Sequence, residues 1–121
     1  MDRFDHERFE VYQLSLEFIR HADTLVQAFP PGRAYLADQL NRAGSSIVLN
    51  IAEGAGEFSK KEKIRFYRMA RRSATECAGL LDIASTLSII NEQSFSKGRE
   101  MLLRIVSMLV AVIRAIGPDG K

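Results

Sequence analysis

Apolar residues return every three or four positions along nearly the whole chain, and that rhythm fails at only three places. Such spacing lines up one side of an α-helix, whereas a half-buried strand would need every second position. The first stretch runs from about residue 10 to 28, with Val11, Leu14, Phe18, Leu25 and Ala28 in step and His21 in the same register. Phe29-Pro30-Pro31-Gly32 closes it, because proline lacks an amide donor and disfavours helix in the residue before it. The second stretch, about 33 to 55, carries Leu36, Leu40, Ala43, Ile47 and Ile51, and Gly54 and Gly56 loosen its end. Ser59 with Glu62 three residues on has the form of a capping box and opens a third helix from 60 to about 87. Phe66, Ala70, Ser73, Cys77, Leu80, Ala84 and Leu87 give that helix a heptad-like seam. After a turn at Ser88–Glu92, a fourth helix runs from about 94 to 116 and stops at Gly117-Pro118.

Helices of this length are about 30 Å long, and short connections make neighbours antiparallel. The expected fold is all-α: a left-handed, up-down-up-down antiparallel four-helix bundle filling residues 1–121 as a single domain. A chain of 121 residues with 46% apolar content can build its core without metals or disulfides. Its single cysteine, Cys77, excludes an internal disulfide and a cysteine-based zinc site, and a reducing cytosol is the simplest compartment. The charged start, Met1-Asp2-Arg3-Phe4-Asp5-His6-Glu7, has no apolar signal core. The longest uncharged apolar run, Ile105–Ile113, falls far short of the roughly 20 residues a membrane span needs. A cytoplasmic protein with no membrane contact is expected.

The fourth helix carries more apolar surface than one bundle needs. Leu102, Ile105, Val106, Leu109, Ile113 and Ile116 form a stripe, widened by Met101, Met108 and Val112 on one side and by Leu103 and Val110 on the other. A helix in a monomeric bundle keeps a wide polar face. The excess predicts an oligomer interface through Met101, Ile105, Met108 and Val112, helped by Leu16, Ile19 and Val26 of the first helix. A broad core face in a monomer is the alternative.

Net charge is only +2, yet residues 60–72 hold Lys60, Lys61, Lys63, Arg65, Arg68, Arg71 and Arg72 against one acid, Glu62. Lys61, Arg65, Arg68 and Arg72 step by four, three and four, so they share a line pointing away from the core seam. Such a line suits nucleic-acid phosphates; a merely solvated face is the bland reading. Tyr67 and Phe58 lie near it without the regular interleaving that base stacking uses. A second constellation, Ser46, Asn50 and Glu53 with Arg42 on the second helix and Ser73 and Glu76 on the third, forms a polar row at the edge of the core. A hydrogen-bonded network fixing helix register is one role, and a ligand-binding or catalytic pair of carboxylates is the other. No cofactor and no metal site are expected: the two histidines, His6 and His21, do not follow a glutamate at the spacing di-iron bundles use. Cys77 on the core seam reads as inert packing. Gly54-Ala55-Gly56 follows a helix rather than a strand and lacks the ending of a phosphate loop.

Phe9-Glu10-Val11-Tyr12-Gln13, Phe29-Pro30, Tyr35-Leu36, Gln39-Leu40, Arg42-Ala43, Ser45-Ser46-Ile47 and Asn50-Ile51-Ala52-Glu53-Gly54 resemble the "four helix bundle protein" family, also called 23S rRNA intervening-sequence proteins. Ser59, Glu62, Phe66, Ala70, Ser73 and Glu76 extend the likeness to about residues 9–115. The resemblance implies a bacterial up-down bundle assembled as a ring-like homopentamer. Some members are encoded inside large-subunit ribosomal RNA genes. A distant relative in fold is the accessory protein of diversity-generating retroelements, a pentamer associated with nucleic acid. No enzymatic activity is established for the family. Its signature residues carry over to Arg42, Ser46, Asn50, Glu53, Gly54, Ser73 and Glu76. Two positions depart: Arg72 stands where the family usually has glycine, and Glu57 where a basic residue is common. The expected function is a non-enzymatic oligomeric module contacting RNA or DNA. A protein–protein scaffold that binds no nucleic acid is the alternative, and a small enzyme using Glu53 and Glu76 is a third reading.

Overall fold

The computed structural model describes residues 3–117, which form four helices and no strand. Met1, Asp2 and Pro118, read above as part of a charged start and as a helix stop, lie outside the described residues. The helices are α1 (Glu10–Gln27), α2 (Ala34–Gly56), α3 (Lys60–Thr86) and α4 (Glu92–Ile116). Each packs on two neighbours in the cyclic order α1, α2, α3, α4, and among the described residues the backbones of the diagonal pairs do not approach closely, which is the contact pattern of a bundle. α2 and α3 run antiparallel: Ser46 meets Ser73, and further along α2 Gly54 meets Tyr67 nearer the start of α3.

The interior is a single apolar cluster drawn from all four helices, with Phe18, Leu40, Ile47, Ile51, Leu81, Ile105 and Leu109 closed off from solvent. On α3 the buried line is broader than the heptad seam: Ile64, Tyr67, Ala74 and Leu81 join Ala70, Ser73, Cys77, Leu80 and Ala84. Phe66 is only half-buried and Leu87 is exposed, because α3 faces two neighbours and its buried arc spans both. Tyr67, expected near the basic line, is a core residue with 3% exposure and packs edge-on against Phe9. Ala28 is exposed, just past the end of α1.

The helix ends are set by side-chain and backbone bonds that spacing does not encode. Ser59 Oγ accepts from the Glu62 amide at 3.2 Å, so half of the capping box forms. The reciprocal half does not, because the Glu62 carboxylate turns to Arg65 instead. α4 starts two residues earlier than its periodicity predicts, since Asn91 Oδ1 accepts from the Ser94 amide at 2.7 Å and caps it. The turn before it uses Ser88 at φ 58°, with the Ile89 amide reaching back to the Ala84 carbonyl. Gly54 does not loosen α2. It is buried within the helix, where a Cβ would stand 2.6 Å from Tyr67 Cε1, so its bare backbone permits the close α2–α3 crossing.

Candidate nucleic-acid interface

Lys61, Arg65, Arg68 and Arg72 are all exposed, on the side of α3 opposite its buried arc. Three of them differ from the fourth. Arg65 donates to Glu62 through Nε and through Nη2 at 2.9 Å, bonds Met69 Sδ at 3.5 Å, and lies 4.4 Å over the Phe66 ring. That guanidinium holds the Glu62 carboxyl below its usual range, and Glu62 in turn raises Arg65. Among the described residues Lys61, Arg68 and Arg72 form no ion pair. The free charge of the stripe is therefore these three, and Arg65 is held to one side by its partners. Lys63 was grouped with the cluster by sequence but has another task. Its Nζ donates to the Gly54 and Ala55 carbonyls at 3.1 and 3.0 Å, satisfying the open end of α2 and tying it to α3. Phe58, beside this turn, is fully exposed.

The polar row divides. Asn50 Nδ2 donates to the Ser46 carbonyl at 2.8 Å and to Ser46 Oγ at 3.0 Å, and Ser73 Oγ donates to Ser46 Oγ at 2.8 Å. This chain of bonds crosses from α2 to α3 and locks their register, as expected of a satisfied network at a core edge. Arg42, Glu53 and Glu76 take no part: all three are exposed and none makes a side-chain hydrogen bond among the described residues.

The α4 surface is less open than its composition implies. Ile105 is completely buried and leaves the interface set, because it points to the bundle interior. Met101, Met108 and Val112 are half-buried and pack against the core. The helix's large exposed apolar side chain is Leu103. Elsewhere, exposed apolar residues gather on α2 and α3: Tyr35 (49%), Leu49 (60%), Met69 (40%) and Ile83 (44%). Sequence reasoning missed these, although their seven-residue spacings, 35/42/49 and 62/69/76/83, were available to it.

A groove of about 590 Å³ runs between α1 and α2, lined by Leu16, Ile19, Arg20, Ala22, Asp23, Leu40, Asn41 and Ser45. His21 lies on the opposite flank of α1, where its ring meets the Ser94 carbonyl at 3.0 Å. A carbonyl only accepts, so the proton sits on Nε2 and His21 is a strut between α1 and α4. Cys77 is buried, and burial together with the nearby Glu76 charge pushes its thiol up to about 12, which keeps it neutral and unreactive. No three His, Cys, Asp or Glu side chains among the described residues come together as a metal site requires. No helix there is long and apolar enough to cross a membrane.

Comparison with known proteins agrees with this architecture. The model of the 23S rRNA-intervening sequence protein family matches residues 7–111. The crystal structure of a protein of unknown function from the S23 ribosomal protein family of Bacteroides thetaiotaomicron, at 1.70 Å resolution, superposes with a TM-score of 0.80. That match is 23% identical and covers 86% of this chain and 98% of the other, a likeness that speaks for the fold. No curated protein matches the chain.

Proposed function

The chain belongs to the 23S rRNA-intervening sequence protein family, and from that premise we propose that it is a non-enzymatic, self-associating module that contacts nucleic acid through the exposed face of α3. The observation that carries the reading is the stripe itself: Lys61, Arg68 and Arg72 are solvent-facing, unpaired and on one line of a rigid helix. The bundle fixes the backbone positions of these cations, so only side-chain freedom is lost on meeting phosphates, and counterions are displaced on binding. They meet the phosphate backbone rather than base edges, so the expected binding is tolerant of sequence. Assembly of several copies, as in the homopentamer that the family resemblance implies, multiplies weak contacts through effective concentration. Arg72, at a position where the family resemblance implies that glycine is usual, adds one charge to the face in this chain.

The test is binding of structured RNA, single-stranded DNA and duplex DNA by the purified protein across a salt series. With three free cations per protomer, the log–log salt slope on duplex DNA is expected to be about −2.7 for each engaged protomer. Reversal of Lys61, Arg65, Arg68 and Arg72 to glutamate should abolish binding while circular dichroism stays unchanged. Unaltered affinity in that variant would remove the stripe from the interface. An intact oligomer that binds nothing at low salt would return the protein to the scaffold reading.

A further inference from the structure

Phe58 is the large apolar side chain most open to solvent among the described residues, at 101% exposure against 72% for Phe4 and 60% for Leu49. It stands directly before Ser59, the N-cap of α3. An apolar residue at that position often packs against the fourth residue of its helix. Here the fourth residue is Lys63, whose ammonium is taken by the Gly54 and Ala55 carbonyls, and the ring gains no cover from its own helix. Both of its faces are therefore free. Its surroundings are ionic rather than apolar. Lys60 and Lys61 follow within three residues, and both are exposed. Phe58 and Lys61 are at most about 11 Å apart along the chain, so neighbouring nucleotides of one strand reach both. Glu57, the acid beside the ring, is half-buried. It lies close enough to Arg65 to add to the upward shift that Glu62 causes there, so its charge is answered within the protein.

We infer that Phe58 is a stacking platform for an unpaired nucleobase, and that the face of α3 takes single-stranded nucleic acid in preference to duplex. The inference rests on the phosphate contacts proposed above and adds the class of strand that makes them. A lone ring beside free cations fits a nucleotide, which carries a flat face and a phosphate on one short unit. It fits a protein surface less well, because a partner helix covers a contiguous apolar patch and the chain around Phe58 reads Glu57, Ser59, Lys60, Lys61. Inside a duplex every base is covered on both faces by its neighbours. A single strand, a loop or an overhang leaves faces open to an aromatic side chain. Every base has such a face, so the contact separates unpaired from paired strands and does not select one base over another.

The test compares the wild-type chain with Phe58→Ala and Phe58→Trp on three probes: oligothymidylate, a duplex of the same length, and a strand of that length without bases. The ring touches nothing in the protein, so F58A should leave circular dichroism and the thermal melt unchanged. It should weaken binding of oligothymidylate by roughly fivefold to a hundredfold, the worth of one stacked base. Binding of the duplex and of the baseless strand should stay as it was, and so should the salt slope, because no phosphate contact is lost. F58W should restore binding. The chain has no other tryptophan, so quenching of the indole by oligothymidylate reports the stack directly. An F58A variant that holds oligothymidylate as tightly as the wild type overturns the platform and leaves the basic stripe standing. A wild-type chain that binds none of the three probes at low salt overturns both. An equal loss on all three probes also overturns the platform, and a fall in mass by light scattering in the same variant would assign the ring to a contact between copies.

Discussion

A methyl group added at Gly54 would stand 2.6 Å from Tyr67 Cε1, whereas one added at Gly79 would meet nothing within 4 Å. The two substitutions should therefore have opposite signs. Gly79→Ala, on the exposed side of α3, is expected to raise stability by about 0.5–1 kcal/mol through helix propensity. At Gly54 the same gain is outweighed by overpacking, which costs about 1–3 kcal/mol when a buried ring has to shift. Denaturant unfolding of both variants checks the contrast, and Gly54→Ala combined with Tyr67→Leu should recover part of the loss. Cys77 offers a second residue-scale check. Its buried, neutral thiol should resist a disulfide reagent at pH 8 in the native protein and react promptly once the chain is unfolded. The inertness of Cys77 was legible in the sequence from its place on an apolar seam. The packing role of Gly54 was not, because a glycine near a helix end has the same spelling whether it frays the helix or admits a neighbour.

The four helices were legible because each repeats its apolar spacing over five or more turns, enough for the period to outweigh any single odd residue. Their ends depend on individual bonds and were less so. Asn91 shows this: nothing in the apolar pattern marks it, yet its side chain starts α4. Asn91→Ala should cost about 1 kcal/mol, the usual loss of a cap, with fraying confined to the first turn of α4 as seen by hydrogen exchange. The basic line on α3 was readable from spacing alone, since four surface positions on one face follow from helix geometry. That Arg65 would be held by Glu62 and Phe66, or Lys63 by α2, was not readable, because those partners are chosen by local geometry and by a helix packed from elsewhere. The polar row illustrates the same limit. Its hydroxyl and amide members found one another across α2 and α3, and its charged members were left in solvent.

At the scale of the molecule, the core holds two groups that it prefers to keep protonated. Burial pushes both Tyr67, ordinarily near 10.0, and Cys77, ordinarily near 9.0, up to about 12. The unfolded chain releases these protons first, so stability is level below about pH 9 and falls as pH rises from there towards 12. Thermal melts from neutral pH to about pH 11 should show that decline, and it should be shallower when Tyr67→Phe and Cys77→Ala are combined. The ring of helices has a kinetic consequence as well. Three of its four seams join helices adjacent in the chain, and only the α1–α4 seam brings distant segments together, with His21 and Ser94 at its end. The three local seams can form without closing that long loop, and the α1–α4 seam has a docking surface only once they have, so it is expected to form last, after the barrier has been crossed. His21→Ala should then hasten unfolding while leaving the refolding rate almost unchanged in stopped-flow measurements. The strut at His21 would in that case act as a latch on the finished bundle, governing how long it stays shut rather than how fast it assembles.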